Sequence, residues 1–295
     1  MKILITGGNG FIGKALRNFL SPLHDITVID TKLDVNYTGV QCLADLSKTD
    51  DWLDDKIKNS DLVIHLASPV GIFKIDKNSK TFLEEMLKIN LNIFNSVNRY
   101  NKKIIYSSTS EVYKNTDNAL ECDDLSIGCP DKLRWGYASG KLTSEFLCKS
   151  LCGKSVILRF FNATGVGDNK GVLFKFIESI KKNKDINVFG DGNQIRTFCD
   201  IRDVVNFVNK IISENLYNGE IYNVGNCNNV ISINDLAKQC LFQTKSKVNI
   251  KYKEYNEVFS NNYDDIQKRI PNCQKMNKLM KAKYGINNII KSMYE

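Results

Sequence analysis

A doubly wound α/β fold built on a parallel sheet is predicted by three observations. Short apolar segments at 2–6, 25–30, 60–68, 103–108 and 156–161 read as buried strands. Stretches with helical apolar periodicity separate them, as crossovers between parallel strands require. The first strand runs directly into a three-glycine turn followed by a helix. The chain has 295 residues, 42 % of them apolar. That length buries roughly 70–75 % of its unfolded surface, enough for one large domain or two unequal ones.

The first element is Lys2-Ile3-Leu4-Ile5-Thr6, a short strand, and Gly7-Gly8-Asn9-Gly10-Phe11-Ile12-Gly13 follows it. Gly7, Gly10 and Gly13 have Gly-x-x-Gly-x-x-Gly spacing. A side chain in such a turn would hold the backbone off a phosphate. Phe11, Ile12, Ala15, Leu16, Phe19 and Leu20 place a helix behind it, its N–H groups aimed at a pyrophosphate. The next strand ends at Asp30, whose carboxylate suits an adenosine ribose and repels a 2′-phosphate, so NAD is favoured over NADP. Asp45 and Leu46 begin a wall around adenine. The strand over 60–68 exits through Leu66, Ala67 and Ser68, small enough at 67 and 68 for a pyrophosphate to pass. His65 in that strand reads as a satisfied packing residue. A helix covers 82–100, with Asn90 and Asn95 on a largely apolar segment.

Ser107 to Tyr113 lies where the fourth clear strand reaches its carboxyl end, the edge at which open parallel sheets bind ligands. Tyr137-Ala138-Ser139-Gly140-Lys141 begins a helix, and its Tyr and Lys, four residues apart, share one face. An ammonium beside a phenol favours phenolate and lowers its pKa. Tyr137 is therefore the expected proton acceptor from a substrate hydroxyl while hydride moves to the cofactor. Lys141 also holds the nicotinamide ribose, and Thr109 hydrogen-bonds the reacting oxygen.

These runs together resemble the extended short-chain dehydrogenase/reductases, in the group of NAD-dependent nucleotide-sugar epimerases, dehydratases and decarboxylases. The resemblance continues through Arg159–Gly165, Val188–Arg196 and Tyr222–Gly225 and spans nearly the whole chain. It implies a Rossmann-type sheet with a smaller, mostly C-terminal substrate-binding domain. The expected division is an NAD-binding domain at 1–167, an insertion at 168–199, a return to the first domain at 200–230 and a substrate domain at 231–295. It implies oxidation of a nucleotide sugar, commonly at C4, to a transient keto-sugar, with Tyr137, Lys141, Thr109 and Glu111 as catalytic residues. Ser110, Glu111, Asn162, Arg196 and Arg269 are the substrate contacts it implies, alongside Thr109. A guanidinium at 196 suits diphosphate oxygens through bidentate bonds.

The residue pair after Thr109 discriminates among outcomes. Dehydratases of the group tend to carry Asp-Glu there, whereas this chain has Ser110-Glu111. That pair resembles decarboxylases acting on UDP-glucuronate. It also resembles a set of sugar epimerases that share Arg134-Trp135-Gly136-Tyr137 and a His65–Ser68 run continued by Val70-Gly71. Epimerisation is the leading expectation. Decarboxylation, 4,6-dehydration and C4 dehydrogenation or reduction are the alternatives, and a non-catalytic sugar-nucleotide binder is the alternative of a different class. Lys114 departs from the glycine usual in the family, and Ala163 from a residue that is often proline.

Charge and cysteines narrow the partners. Lys plus Arg number 41 against 33 acids, a formal +8, but the basic residues are scattered in pairs, which argues against nucleic acid and is compatible with an anionic small substrate. The nine cysteines include no Cys-x-x-Cys pair, and with only two histidines no metal site is expected. Reduced cytosolic thiols, several of them buried, are the expectation. The N-terminus enters a strand at once, without signal-peptide character, and no apolar run reaches the roughly 20 residues of a membrane span. A cytoplasmic protein is therefore expected. The family resemblance implies a UDP-sugar as the default substrate and a homodimer packed through the Tyr-Lys helix; Leu142, Phe146 and Leu147 are compatible with that packing and could equally face the sheet.

Overall fold

The computed structural model describes residues 1–48, 51–69, 72–132, 134–257 and 264–295, with the backbone alone for 72–80 and 256. The Val70-Gly71 pair lies outside the described residues. In chain order the first half runs β1 (Lys2–Thr6), α1 (Phe11–Leu20), β2 (Asp25–Asp30), β3 (Val40–Leu43), α2 (Asp51–Lys58), β4 (Leu62–His65), α3 (Ile72–Arg99), β5 (Lys103–Thr109), β6 (Thr116–Ala119), α4 (Trp135–Leu151) and β7 (Ser155–Phe160). The second half runs β8 (Ala163–Thr164), α5 (Val172–Lys181), β9 (Ile186–Phe189), β10 (Ile195–Thr197), β11 (Cys199–Asp200), α6 (Ile201–Ser213), β12 (Ile221–Val224), β13 (Val230–Ser232), α7 (Ile233–Thr244), β14 (Ile250–Lys253), β15 (Lys268–Pro271), α8 (Gln274–Leu279) and α9 (Ile286–Tyr294).

Seven parallel strands in the order β12-β7-β5-β4-β1-β2-β3 form the main sheet. Both of its faces are covered, because its strands are apolar throughout rather than alternating. One face packs Ile3, Ile5 and Val28 against Leu16, Leu20 and the α6 residues Val204, Phe207 and Ile211. The other packs Leu4, Val63 and Ile104 against Ile57, Ile93, Phe94 and Cys148. The expected doubly wound sheet is thus present, and β12 supplies its edge from the C-terminal half. A smaller mixed sheet, β13-β10-β15-β6, accompanies it. A third cluster joins α5, α7 and α9 around Phe176, Leu236 and Ile289.

Two segments cross between the lobes. Strand β6 comes from the first half of the chain yet pairs with β15 in the small sheet. Met276 of α8, late in the chain, is buried in the main core with Leu279 beside it. Ser232 accepts from the Asp235 amide at 3.0 Å and starts α7, as its sequence position indicates.

Helix α4 is docked on the sheet by buried charge. Arg159 of β7 donates to both carboxylate oxygens of Glu145, at 3.0 Å from Nε and 2.7 Å from Nη2. Ser108 of β5 donates to the same carboxylate. Arg159 also reaches the Tyr113 hydroxyl, which donates to Asn223 Oδ1 at 2.8 Å. Removing one member strands a buried charge. Glu145→Gln is expected to lose about 3 kcal/mol of stability by chemical denaturation.

The cysteine expectation needs one correction. Cys227 and Cys273 are joined as a disulfide across 46 residues of sequence. Cys227 follows β12 and Cys273 follows β15, and the fold brings their Cα atoms to 6.1 Å. Spacing along the chain carries no sign of this, since the approach is tertiary. Cys148, Cys152, Cys199 and Cys240 are buried thiols, as anticipated. Among the described residues no helix is long and apolar enough to cross a membrane, and no metal-binding group of three or more His, Cys, Asp or Glu occurs.

Candidate active site

The glycine turn is built for close backbone approach. Gly7 has φ +69°, and a Cβ there would lie 2.8 Å from the Ala67 amide nitrogen. A Cβ on Gly13 would lie 2.4 Å from the Gly7 carbonyl oxygen, while one on Gly10 would be 3.2 Å from the same oxygen. Gly10 is the N-cap of α1 and no side chain caps that helix, so its first-turn amides face the groove with Phe11 and Ile12 behind them. Asp30 at the end of β2 takes the Asn9 amide on one oxygen at 2.9 Å. Among the described residues its other oxygen has only contacts of 3.3 and 3.5 Å, from the Lys32 amide and the Thr31 hydroxyl. Leu46 is buried and its carbonyl accepts from Asn92 at 2.9 Å, whereas Asp45 is exposed and held by Ser47. Leu66, Ala67 and Ser68 continue β4 past the turn, beside Gly7. This cradle fits a dinucleotide: glycines where a Cβ would collide, open helix amides, and an acid at the second strand's end.

The catalytic candidates converge at the carboxyl end of β5. Thr109 is buried, accepts the Glu111 amide at 3.3 Å, and lies close enough to Tyr137 for its side chain to favour the ionised phenol. Lys141, 2 % exposed, donates to the Ser107 carbonyl at 2.8 Å, its amine 5.0 Å from the centre of the Tyr106 ring. The electrostatics differ from the sequence expectation. Burial and the Glu111 charge push the Tyr137 phenol above its ordinary range, and the Thr109 side chain and Arg269 offset this only in part. Burial lowers Lys141 to about 7, opposed by Glu145. The phenol is not held as phenolate here, because desolvation outweighs the available positive charge.

Glu111 faces two guanidiniums, Arg269 at 3.3 Å and Arg134 at 3.6 Å. Arg269 also donates to Asn162 Oδ1, and Asn162 donates to the Thr197 carbonyl at 2.8 Å. Arg196 and Arg134 both reach Asp265 Oδ1 at 3.0 Å, and Tyr255 donates to its other oxygen at 2.8 Å. Burial raises the Asp265 carboxyl, but the two arginines more than reverse this and hold it below the usual range. Burial also brings Arg269 down to about 10. Ser110 is buried, and its hydroxyl and the Arg269 Nε have no protein partner among the described residues.

The predicted substrate contacts Ser110, Glu111, Asn162, Arg196 and Arg269 thus lie in one connected cluster bordering Tyr137. Sequence reasoning assigned no charge role to Arg134, Asp265 or Tyr255. The Arg-Trp-x-Tyr run was the only signal for the first, since its partner Asp265 lies 131 residues away. Lys114 adopts φ +57°, a conformation that glycine reaches without cost, which accounts for the glycine usual there.

The family model described as "NAD dependent epimerase/dehydratase family" matches residues 3–225. The chain belongs to the NAD-dependent epimerase/dehydratase family. Its cofactor is NAD. It is 32 % identical to UDP-N-acetyl-alpha-D-glucosaminuronate decarboxylase of Bacillus cytotoxicus, over 94 % of this chain and 91 % of that protein. The structure of Pal from Bacillus thuringiensis is 25 % identical, with a TM-score of 0.84 over 100 % of this chain and 98 % of the other. UDP-glucuronic acid 4-epimerase from Bacillus cereus, solved with UDP-glucuronic acid and NAD, shares the fold at a TM-score of 0.87 and 22 % identity, covering 100 % and 98 % of the two chains.

Two outcomes follow from this geometry. Gly13→Ala should abolish NAD binding in a fluorescence titration, with the far-ultraviolet circular dichroism retained. A lysine whose folded pKa lies near 7 binds fewer protons than the unfolded chain between about pH 7 and 10.4, so its burial penalty is full below that window and fades as pH rises through it. Lys141→Met should therefore raise the melting temperature most below pH 7, with the gain shrinking towards pH 10.

Proposed function

We propose that the chain oxidises a UDP-linked uronic acid at C4 and decarboxylates the resulting keto acid. The observation that carries this reading is the buried cluster beside Tyr137. It sets three guanidiniums, Arg134, Arg196 and Arg269, against two carboxylates, Glu111 and Asp265. Three guanidiniums gathered at one little-exposed place suit a ligand with several anionic oxygens, such as a diphosphate joined to a carboxylate-bearing sugar. The Ser110-Glu111 pair and the 32 % identical decarboxylase support the same choice.

Arg196 would grip the diphosphate, with Asn162 lining its approach. Arg269, whose Nε is unoccupied by protein, would face the sugar carboxylate, with Ser110 beside it. Thr109 and Tyr137 would hold the C4 oxygen between them. Tyr137 must first release its own proton to solvent; as phenolate it then takes the hydroxyl proton as the carbonyl forms, and protonated Lys141 is the cation that would steady that phenolate. Bound NAD supplies a hydride acceptor that can return what it takes. A ketone at C4 is beta to the C6 carboxylate. When the C5–C6 bond breaks, its electron pair moves into the C4 enolate and carbon dioxide leaves. Tyr137 and Thr109 are placed to hold that enolate oxygen; a proton from water forms the new C5–H bond, and Tyr137 returns its own proton to the C4 oxygen when that carbon is reduced again. Glu111, paired to Arg269, would fix the guanidinium so that the carboxylate is held without being neutralised by a proton.

Epimerisation at C4, the outcome favoured by the sequence resemblance, shares every step up to the ketone and keeps the carboxylate. The outward Phe146 of α4, 70 % exposed while Leu142 and Leu147 pack inward, supports pairing of two copies through this helix.

The test is incubation of purified protein with UDP-glucuronate and with UDP-N-acetylglucosaminuronate, with NAD added. Release of carbon dioxide and a UDP-pentose by mass spectrometry is expected. A product of unchanged mass with an inverted carbon by NMR would replace decarboxylation with epimerisation. Tyr137→Phe should leave NAD binding intact and lower kcat by about 10²–10⁴.

A further inference from the structure

His65 is fully buried at the end of β4, between the glycine turn and α4, and both ring nitrogens are engaged. Its Nδ1 lies 2.6 Å from Thr6 Oγ1 and its Nε2 lies 2.8 Å from Asn90 Oδ1. Thr6 Oγ1 accepts the Ala67 amide at 3.3 Å. On the far side Asn90 Nδ2 donates to Ser144 Oγ at 2.6 Å, and Ser144 donates to the Gly140 carbonyl at 2.7 Å.

The proton positions in this chain follow from its ends. Gly140 offers a carbonyl, which only accepts, so the Ser144 proton points there and Ser144 must receive the Asn90 amide hydrogens. Asn90 then presents Oδ1 to the ring, and His65 Nε2 carries the hydrogen. Nδ1 is left as an acceptor for the Thr6 hydroxyl, whose oxygen is free to take the Ala67 N–H. The opposite tautomer would put two N–H groups on Thr6 and leave its own proton without an acceptor among the described residues. The five bonds then run in one direction, from the Ala67 amide to the Gly140 carbonyl.

The ends of this chain are the two halves of the site. Thr6 precedes Gly7 and Ala67 lies against it, where a Cβ on the glycine would be 2.8 Å from the Ala67 amide nitrogen. Gly140 and Ser144 bracket Lys141 on α4. The same histidine touches the lysine's anchor, because Ser107 donates to the His65 carbonyl at 2.9 Å while Lys141 donates to the Ser107 carbonyl. The ring is enclosed by Phe94 of α3 at 5.9 Å and Tyr106 of β5 at 5.8 Å, and among the described residues Lys141 of α4 is the charged group whose field reaches it. Burial, together with the Lys141 charge, lowers the imidazole to about 3 despite the Asn90 bond. An imidazolium would face the Lys141 ammonium and break the Thr6 link.

We propose that His65 is a positioning residue, an imidazole held as the Nε2–H tautomer between Thr6 and Asn90, that fixes the cofactor cradle relative to the helix carrying Tyr137 and Lys141. This rests on the reading of Tyr137 and Lys141 as the reacting pair, but its test needs no sugar substrate. A side chain chosen only for packing would have no need of the Thr6 and Asn90 bonds, and an apolar residue would be buried at lower cost.

The chain contains only two histidines, His24 and His65, so the full-length protein labelled with ¹⁵N-histidine gives two imidazole signals. One is expected to titrate. The other should hold the neutral Nε2–H pattern from about pH 8 to about pH 5, across the range of an ordinary histidine. Protonation of His65 in that range, or an Nδ1–H pattern, overturns the proposal. Asn90→Asp places a carboxylate against Nε2–H and should bring the His65 titration into that same range. NAD affinity in this variant should then fall about tenfold as pH drops through the new titration, while the wild-type affinity stays flat. An Asp variant with shifted titration but a pH-independent NAD affinity would reduce His65 to packing. If the Asp variant does not fold, Ser144→Ala replaces it. A weaker NAD affinity in Ser144→Ala, at a residue on the far side of the chain from the cradle, supports the coupling, and an unchanged affinity refutes it.

Discussion

The site depends on how α4 is held to the ends of β5 and β7. Apolar packing alone leaves a helix free to slide by fractions of a turn, since its ridges repeat. Polar anchors remove that freedom. Lys141 is tied to the Ser107 carbonyl, and Glu145, one turn later, is tied to Ser108 and Arg159. These contacts set the height of Tyr137 above the sheet and hence its meeting with Thr109. Desolvating four polar groups is costly, and the arrangement is sustained because each is paired. The same desolvation moves Lys141 down and Tyr137 up, so the forces that fix the geometry also set the proton affinities.

A second layer of charge surrounds this anchor. Asp265 offers one oxygen to two arginines from different elements, Arg134 at the head of α4 and Arg196 on β10. Trp135 adds a bond from its indole nitrogen to Asp264 at 3.1 Å. The first turn of the catalytic helix is thereby tied to the small sheet. The substrate side and the helix bearing Tyr137 are parts of one electrostatic unit.

Much of this was legible in the residues. The three-glycine turn, the apolar strands and the Tyr137–Lys141 spacing are local patterns, and each depends on neighbours within one turn or one strand. The main sheet and the grouping of Thr109, Tyr137 and Lys141 follow from them. What was not legible is what needs two distant segments at once. The Arg134–Asp265 pair, the Cys227–Cys273 link and the pairing of β6 with β15 each span tens to more than a hundred residues. The phenol's upward shift was missed for a related reason: a lysine four residues away is visible in a sequence, whereas the loss of water around the pair is not. His65 was read as a satisfied core residue. The structure agrees that it is satisfied and adds which groups satisfy it.

Strand β6 has a consequence for how such a chain can be recombined. Its four residues belong by sequence to the nucleotide-holding half and by pairing to the small sheet. A hybrid joining residues 1–167 to a foreign C-terminal half would carry this strand into a sheet edge shaped for another. The two lobes are therefore not interchangeable cassettes: a graft would have to move the 116–119 segment together with the sheet it completes.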